Sequence, residues 1–150
     1  MTIQKKGSAR WSGGIKDGKG FVSTETSALS AQPYGFNARF ENGAGTNPEE
    51  LIGAAHSSCF AMALSGNLEK EGYTAKDLDA VATVSLEKIG EGYEVTKIDL
   101  FLKAEVEGID DKTFQDVVEK TKDTCPISKL LNAEITLDWQ LTGSSTEARA

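Results

Sequence analysis

The chain has 150 residues, enough for one domain with a hydrophobic core. Its formal net charge of −7 argues against nucleic acid or an anionic membrane surface as partner, and no apolar run approaches the ~20 residues of a membrane-spanning helix. Two cysteines and one histidine are too few for a disulfide framework or a zinc site, so no metal is expected, and the expectation for a cofactor is likewise none.

In chain order, Met1 to Gly7 lacks the apolar stretch of a signal peptide, which leads to the expectation of a cytoplasmic protein. Residues 1–40 read as short strands and turns. Ser8–Trp11 and Phe21–Thr24 are strand-like, separated by the turn residues Ser12-Gly13-Gly14 and Lys16-Asp17-Gly18-Lys19-Gly20. Gln32-Pro33-Tyr34-Gly35 breaks the chain. Phe36–Phe40 is expected to be a third strand, with Phe36, Ala38 and Phe40 on one side and Arg39 on the other.

Glu41–Gly45 then leads into a long helix opening Thr46-Asn47-Pro48-Glu49-Glu50. Asn47 is a good N-cap because its side chain can accept an orphaned backbone N–H, and Pro48 at the first helical position loses nothing by lacking its own. Glu50 falls where a capping box places its acid, and both glutamates favour the positive end of the helix dipole. Ile52, Ala55, Cys59, Met62 and Ala63 recur at helical spacing, which puts Cys59 mid-helix on an apolar stripe. The helix is expected to end near Gly72.

Leu78–Lys88 and Tyr93–Val106 both alternate, the second with some slippage, around the turn Gly90-Glu91-Gly92: an antiparallel hairpin. A helix starting at Asp110-Asp111 should turn Phe114, Val117, Val118 and Thr121 inward. Pro126 resets the chain, so Cys125 immediately precedes a new short helix. Ala133–Leu141 is a last strand. Thr142–Ala150 is small and polar and is expected to be a disordered tail after a single domain of residues 1–141. Strands segregated from helices indicate an α+β fold with antiparallel sheet.

The cysteines carry the chemistry. Cys59 is either a small buried hydrophobe or a reactive thiol, and the latter needs a cation or dipole nearby, because apolar burial alone leaves a thiol inert. Cys125 either caps and packs, or is a thiolate stabilised by the helix start. Together they suggest thiol peroxidase chemistry: one sulfur is oxidised to a sulfenic acid, and the other condenses with it to a disulfide. In a reducing compartment such a disulfide is transient. Cys-x-x-Cys spacing is absent, which disfavours a general disulfide oxidoreductase.

Thr46-Asn47-Pro48-Glu49-Glu50-Leu51, Ala54-Ala55-His56 before Ser58-Cys59-Phe60, and Cys125-Pro126-Ile127-Ser128 resemble the OsmC/Ohr family of organic hydroperoxide reductases. Gln32–Asn37 with Arg39-Phe40 is similar to the OsmC branch in particular. The resemblance spans nearly the whole chain. It implies an OsmC-like α+β fold with an antiparallel sheet packed on a long central helix, in an intertwined homodimer with sites at the interface. It implies Cys59 as peroxidatic and Cys125 as resolving cysteine, Arg39 and Glu49 as the pair that activates the thiol, organic hydroperoxides as substrate and a lipoyl-type dithiol as reductant. The Ohr branch carries its activating arginine in the first glycine-rich turn, whereas here Gly13–Lys19 has none and the role falls to Arg39.

Glu49 and Cys59 lie roughly 15 Å apart along one helix, a span one arginine does not easily bridge within a chain. An antiparallel helix from a second copy, crossing at the small residues Gly53-Ala54-Ala55, would bring its Glu49 close to this Cys59. Phe36, Phe40, Phe60 and Met62 are candidates for an apolar pocket. His56 lies one turn before Cys59 and is expected to be structural, Glu50 to serve only in capping, and Lys16 and Lys19 to be solvated. The competing reading is a non-enzymatic stress protein that holds an apolar ligand in the interface pocket; such a protein has no need of Cys125.

Overall fold

The computed structural model describes residues 1–148. The chain divides into two compact units, Met1–Leu51 and Ile52 onward. In the first, β1 (Gly7–Ser12), β2 (Lys19–Thr24) and β3 (Gln32–Tyr34) form an antiparallel sheet in chain order. Gly20 lies under two aromatic rings: a Cβ there would come within 2.6 Å of Tyr34 and 2.7 Å of Trp11. The residue must therefore be glycine for those rings to meet across β2, where their centroids are 5.7 Å apart.

Phe36–Phe40 forms a short helix, α1, not the expected strand. The alternation of Phe36 and Phe40 fits one helical turn as well as a strand, and the helix stacks the two rings at 4.9 Å. A strand here would also lack a free edge, since Thr46 occupies the outer side of β3 through its N–H to the Pro33 carbonyl and a bridge to Tyr34.

The long helix α2 (Pro48–Lys70) begins as its sequence directs. Asn47 Oδ1 accepts the Glu50 N–H at 2.8 Å, while the Glu50 carboxylate accepts the Thr46 hydroxyl at 2.7 Å. Beyond Lys70, Gly72 takes φ +90° and the Tyr73 N–H closes onto the Leu68 carbonyl, a glycine-terminated helix end. The buried stripe differs in phase from the expected one. It runs through Gly53, His56, Phe60, Leu64 and Leu68, while Ala54, Ala55, Ser58 and Met62 are exposed. The small side of the helix at Gly53 is used inside the chain: a Cβ there would meet the Ala82 carbonyl at 3.0 Å.

In the second unit β4 (Ala75–Ile89) and β5 (Gly92–Val106) form the antiparallel hairpin. The slippage in β5 is a bulge at Thr96: Leu86 pairs with Val95 and Ser85 with Lys97. The extra residue shifts the inward parity, so that Ile98, Leu100, Leu102, Ala104 and Val106 all face the core. Helix α3 (Asp111–Thr124) is capped by Asp110, whose carboxylate accepts the Thr113 N–H, and it buries Phe114, Val117, Val118 and Thr121. The short α4 (Pro126–Leu130) follows, then β6 (Glu134–Thr142), which pairs with β5 in parallel. The last strand is thus the exception to the expected antiparallel pattern, because α3 and α4 carry the chain back across the sheet as a crossover. Phe114 meets Trp139 edge-on at 5.0 Å, tying the crossover to β6.

Ser145–Ala148 form a short turn of helix, α5, and Ser144 is buried with its hydroxyl on the Asp111 carboxylate at 2.6 Å. The tail expectation for Arg149 and Ala150 lies outside the described residues. The fold is mixed α+β.

Candidate functional site

The four residues singled out from the sequence fall into two pairs, each within its own unit. Arg39, on α1, and Glu49, on the first turn of α2, form one. The guanidinium grips the carboxylate with Nη2 to Oε1 at 2.6 Å and Nε to Oε1 and Oε2 at 3.0 and 3.2 Å. This bidentate clamp lies within one chain and is shielded on the acid side, with side chains 37% and 11% exposed. Helix formation at Phe36–Phe40 is what allows it: it turns Arg39 toward the α2 start while Phe40 lies under its guanidinium at 5.4 Å. The Asn47 cap contributes too, donating from Nδ2 to the Ala38 carbonyl at 3.0 Å.

Beside Arg39 lies a cavity of about 250 Å³ lined by Trp11, Ile15, Tyr34, Phe36 and Phe40, an apolar hollow with one cation on its rim. Phe36 and Phe40 are therefore pocket residues. Phe60 is fully buried in the core, and Met62 is 77% exposed on the surface of α2. Lys16 is not simply solvated: its ammonium lies over the Phe36 ring at 5.8 Å.

Cys59 and Cys125 form the second pair. Cys59 is half-buried on α2, and Cys125 is 1% exposed at the N-cap of α4; both are free thiols. The fold brings them together: burial, above all, pushes the Cys59 thiol up from its ordinary value, the Ile127 N–H at the start of α4 pulls it down, and the charge and hydrogen bond of Cys125 push it up further. The balance is upward, so within this chain the thiol is protonated at neutral pH. Cys125 caps α4 through its sulfur, which accepts the Ser128 N–H at 3.4 Å.

Two further residues complete this cluster. Ser128 Oγ is 3.0 Å from the Cys125 sulfur and 2.7 Å from His56 Nε2. His56 is fully buried, and burial lowers its pKa, so the ring is neutral. Its Nδ1 has no hydrogen-bond partner among the described residues. Ser128 escapes sequence reasoning except as part of a motif; its place three residues after the Cys125 cap is the signal that points to it. No group of three or more metal-ligating side chains is found among the described residues, and none of their helices is long and apolar enough to cross a membrane.

A half-open thiol and a sealed one at a helix start, on an α+β scaffold, are the features of a thiol-dependent redox protein. The OsmC-like protein family model matches residues 41–140, and the chain belongs to that family. It is 57% identical over 141 residues to peroxiredoxin OsmC of Escherichia coli, covering 94% of this chain and 99% of that one. It is 29% identical over 122 residues to organic hydroperoxide resistance protein OhrB of Bacillus subtilis, covering 81% and 88%. The crystal structure of B. subtilis OhrB superposes with a TM-score of 0.68 at 25% identity, covering 93% of this chain and 98% of that one. An OsmC-like protein of unknown function from Vibrio cholerae shares the fold at a TM-score of 0.74 and 17% identity, covering 93% and 100%.

Proposed function

We propose that the protein is a thiol-dependent peroxidase that reduces organic hydroperoxides to alcohols. The observation that carries this reading is that Cys59, far from Cys125 in the chain, packs against the buried cluster that holds Cys125, within hydrogen-bonding reach of its sulfur. The peroxiredoxin name of a relative at 57% identity supports it.

The Cys59 thiolate attacks the terminal oxygen of R–OOH. The O–O bond breaks, the sulfur becomes a sulfenic acid, and the alkoxide leaves as alcohol with one proton. Cys125 then attacks the Cys59 sulfur, the S–O bond breaks, and water leaves as the disulfide forms. A dithiol of the lipoyl type returns both sulfurs to thiols and is itself oxidised to a cyclic disulfide. No cofactor or metal enters the cycle.

Arg39 supplies the cation that Cys59 lacks in isolation, and Glu49 fixes its guanidinium so that the charge is aimed. The apolar hollow beside Arg39 supports a preference for organic over hydrogen peroxide. The protein works as a homodimer. Its first unit exposes β1 along its length, with Phe21 42% exposed, a poor balance for a small sheet left alone. The exposed face of α2, through Ala54, Ser58 and Met62, carries no charge and leaves Met62 in the open, as a helix partnered on both sides would.

The test is turnover of cumene hydroperoxide and hydrogen peroxide with a lipoyl dithiol and with a monothiol, on wild type and Cys59→Ser. Turnover that favours the organic peroxide and the dithiol, and vanishes in Cys59→Ser, is expected. Saturable binding of an apolar ligand that persists in Cys59→Ser, with no turnover in either protein, would replace this reading with that of a binding protein.

A further inference from the structure

We propose that Ser128 and His56 form a proton relay that activates Cys125 for disulfide formation, Ser128 as a catalytic residue in contact with the sulfur and His56 as a positioning residue acting through it. The proposal deepens the peroxidase reading and rests on it.

The relay is a line of three buried groups on two elements. Ser128 Oγ stands between Cys125 Sγ at 3.0 Å and His56 Nε2 at 2.7 Å. A neutral imidazole has one nitrogen free to accept, and burial keeps this ring neutral. With Nε2 accepting from the Ser128 hydroxyl, the Ser128 oxygen is left to accept from the Cys125 thiol. The charged residues of α2 lie in its first and last turns, and the one charged residue of α4, Lys129, is exposed. The one buried carboxylate on these two helices, Glu49, is two turns before His56 in α2 and is held in the Arg39 clamp.

The second observation is the orphaned Nδ1 of His56. A fully buried imidazole with one unpartnered nitrogen is a poor way to fill a core, and such groups call for a functional explanation. An apolar residue of similar volume would pack the stripe of α2 without it. What the imidazole adds is a proton acceptor within hydrogen-bond reach of Ser128.

In the resolving step the Cys125 proton moves to Ser128 Oγ as the Ser128 proton moves to His56 Nε2. The new thiolate receives the Ser128 hydroxyl and the Ser128 N–H, which already lies 3.4 Å from the sulfur. It attacks the Cys59 sulfur of the sulfenic acid, forming S–S and breaking S–O. The imidazolium gives its proton back to Ser128 as the Ser128 hydroxyl gives its own to the departing hydroxide, which leaves as water. No net proton is gained and no outside reductant is consumed. An unaided thiol is only a few per cent ionised near neutrality, so a base in contact has about tenfold or more to contribute.

The experiment is a single turnover of the full-length protein, resolved into two stages: sulfenic acid at Cys59, trapped with dimedone, and disulfide, read by mass spectrometry. In Ser128→Ala and in His56→Gln the first stage should keep the wild-type rate and the second should slow about tenfold. The double variant should be no slower than either single one, because both break one line. Ser128→Thr keeps the hydroxyl and should restore most of the rate. Equal slowing of both stages would mean a structural role, and an unchanged second stage would overturn the relay outright. Should His56→Gln fail to fold, the Ser128→Ala and Ser128→Thr pair still decides. A separate arm starts from Cys59 carrying a thionitrobenzoate mixed disulfide, from which Cys125 expels the coloured thiol. If wild type never forms a sulfenic acid, the peroxidase reading falls; the mixed-disulfide arm then shows whether Ser128 and His56 still speed attack by Cys125, and equal rates in all variants would end the relay as well.

Discussion

Replacing Arg39 by alanine removes the cation proposed to hold Cys59 as a thiolate. Without such a charge the thiol lies above its ordinary value, because burial outweighs the Ile127 N–H. A unit charge at contact distance, about 4 Å, is worth ~4 kcal/mol at an effective dielectric of about 20. The Arg39 side chain is 37% exposed, so solvent screening brings this to about 2 kcal/mol, or roughly a 30-fold change in thiolate population at fixed pH below the thiol pKa. The assay is the rate of iodoacetamide alkylation against pH in a Cys125→Ser background, where Cys59 is the sole thiol. The profile of Arg39→Ala should move to higher pH, and peroxide reduction at pH 7 should fall by about the same 30-fold. Glu49→Gln should move it less and in the same direction, since the bidentate grip is loosened but the cation remains. Superimposable profiles with and without the Arg39→Ala substitution would refute the assignment.

Cys125→Ser should permit one oxidation and then stall, with sulfinic and sulfonic forms of Cys59 accumulating in the mass spectrum as peroxide is added. His56 is the chain's one histidine and its pKa is lowered in the fold. The unfolded chain therefore binds the extra proton first, and unfolding free energy should be unaffected above about pH 6.5 and decline as pH falls below it. Urea melts across that range should show the decline in wild type and lose it in His56→Gln. Asp99, held low chiefly by the Thr136 hydroxyl, contributes in a separate window: its stabilisation is present above the ordinary carboxylate range and is lost as pH falls through its depressed value. Phe114→Ala opens the core and removes the edge-on contact with Trp139, and should cost about 3–5 kcal/mol by denaturant titration.

Local signals in the sequence carried much of this structure. The Asn47 cap, the inward face of α3, the hairpin and the place of Cys125 before α4 all rest on neighbours within a few residues, and each appears in the fold. The misreadings share one cause, which is that tertiary partners decide what local pattern leaves open. Phe36 and Phe40 satisfy a strand or a helical turn equally, and the occupied edge of β3 selects the turn. The direction of β6 depends on the crossover before it, not on its own residues. Between Leu51 and Gly66 every position of α2 but His56 is small or apolar, so periodicity alone could not fix the buried stripe, and the strand under Gly53 sets it instead. The two cysteines were legible because cysteine is rare in this chain, and the Arg39–Glu49 clamp only through the motifs around it. The contact of His56 with Ser128 joins two helices far apart in the chain, and no spacing rule reaches that far.

Burial makes the two sulfurs unequal to anything arriving from outside. Cys125 is sealed, whereas Cys59 keeps a window to solvent on α2. In the proposed disulfide a visiting nucleophile has one sulfur it can strike, and the other becomes the leaving group, departing toward the Ser128 N–H that can receive its charge. In the proposed cycle the mixed disulfide with the dithiol reductant is then confined to position 59, so that regeneration and peroxide attack must follow one another at a single sulfur.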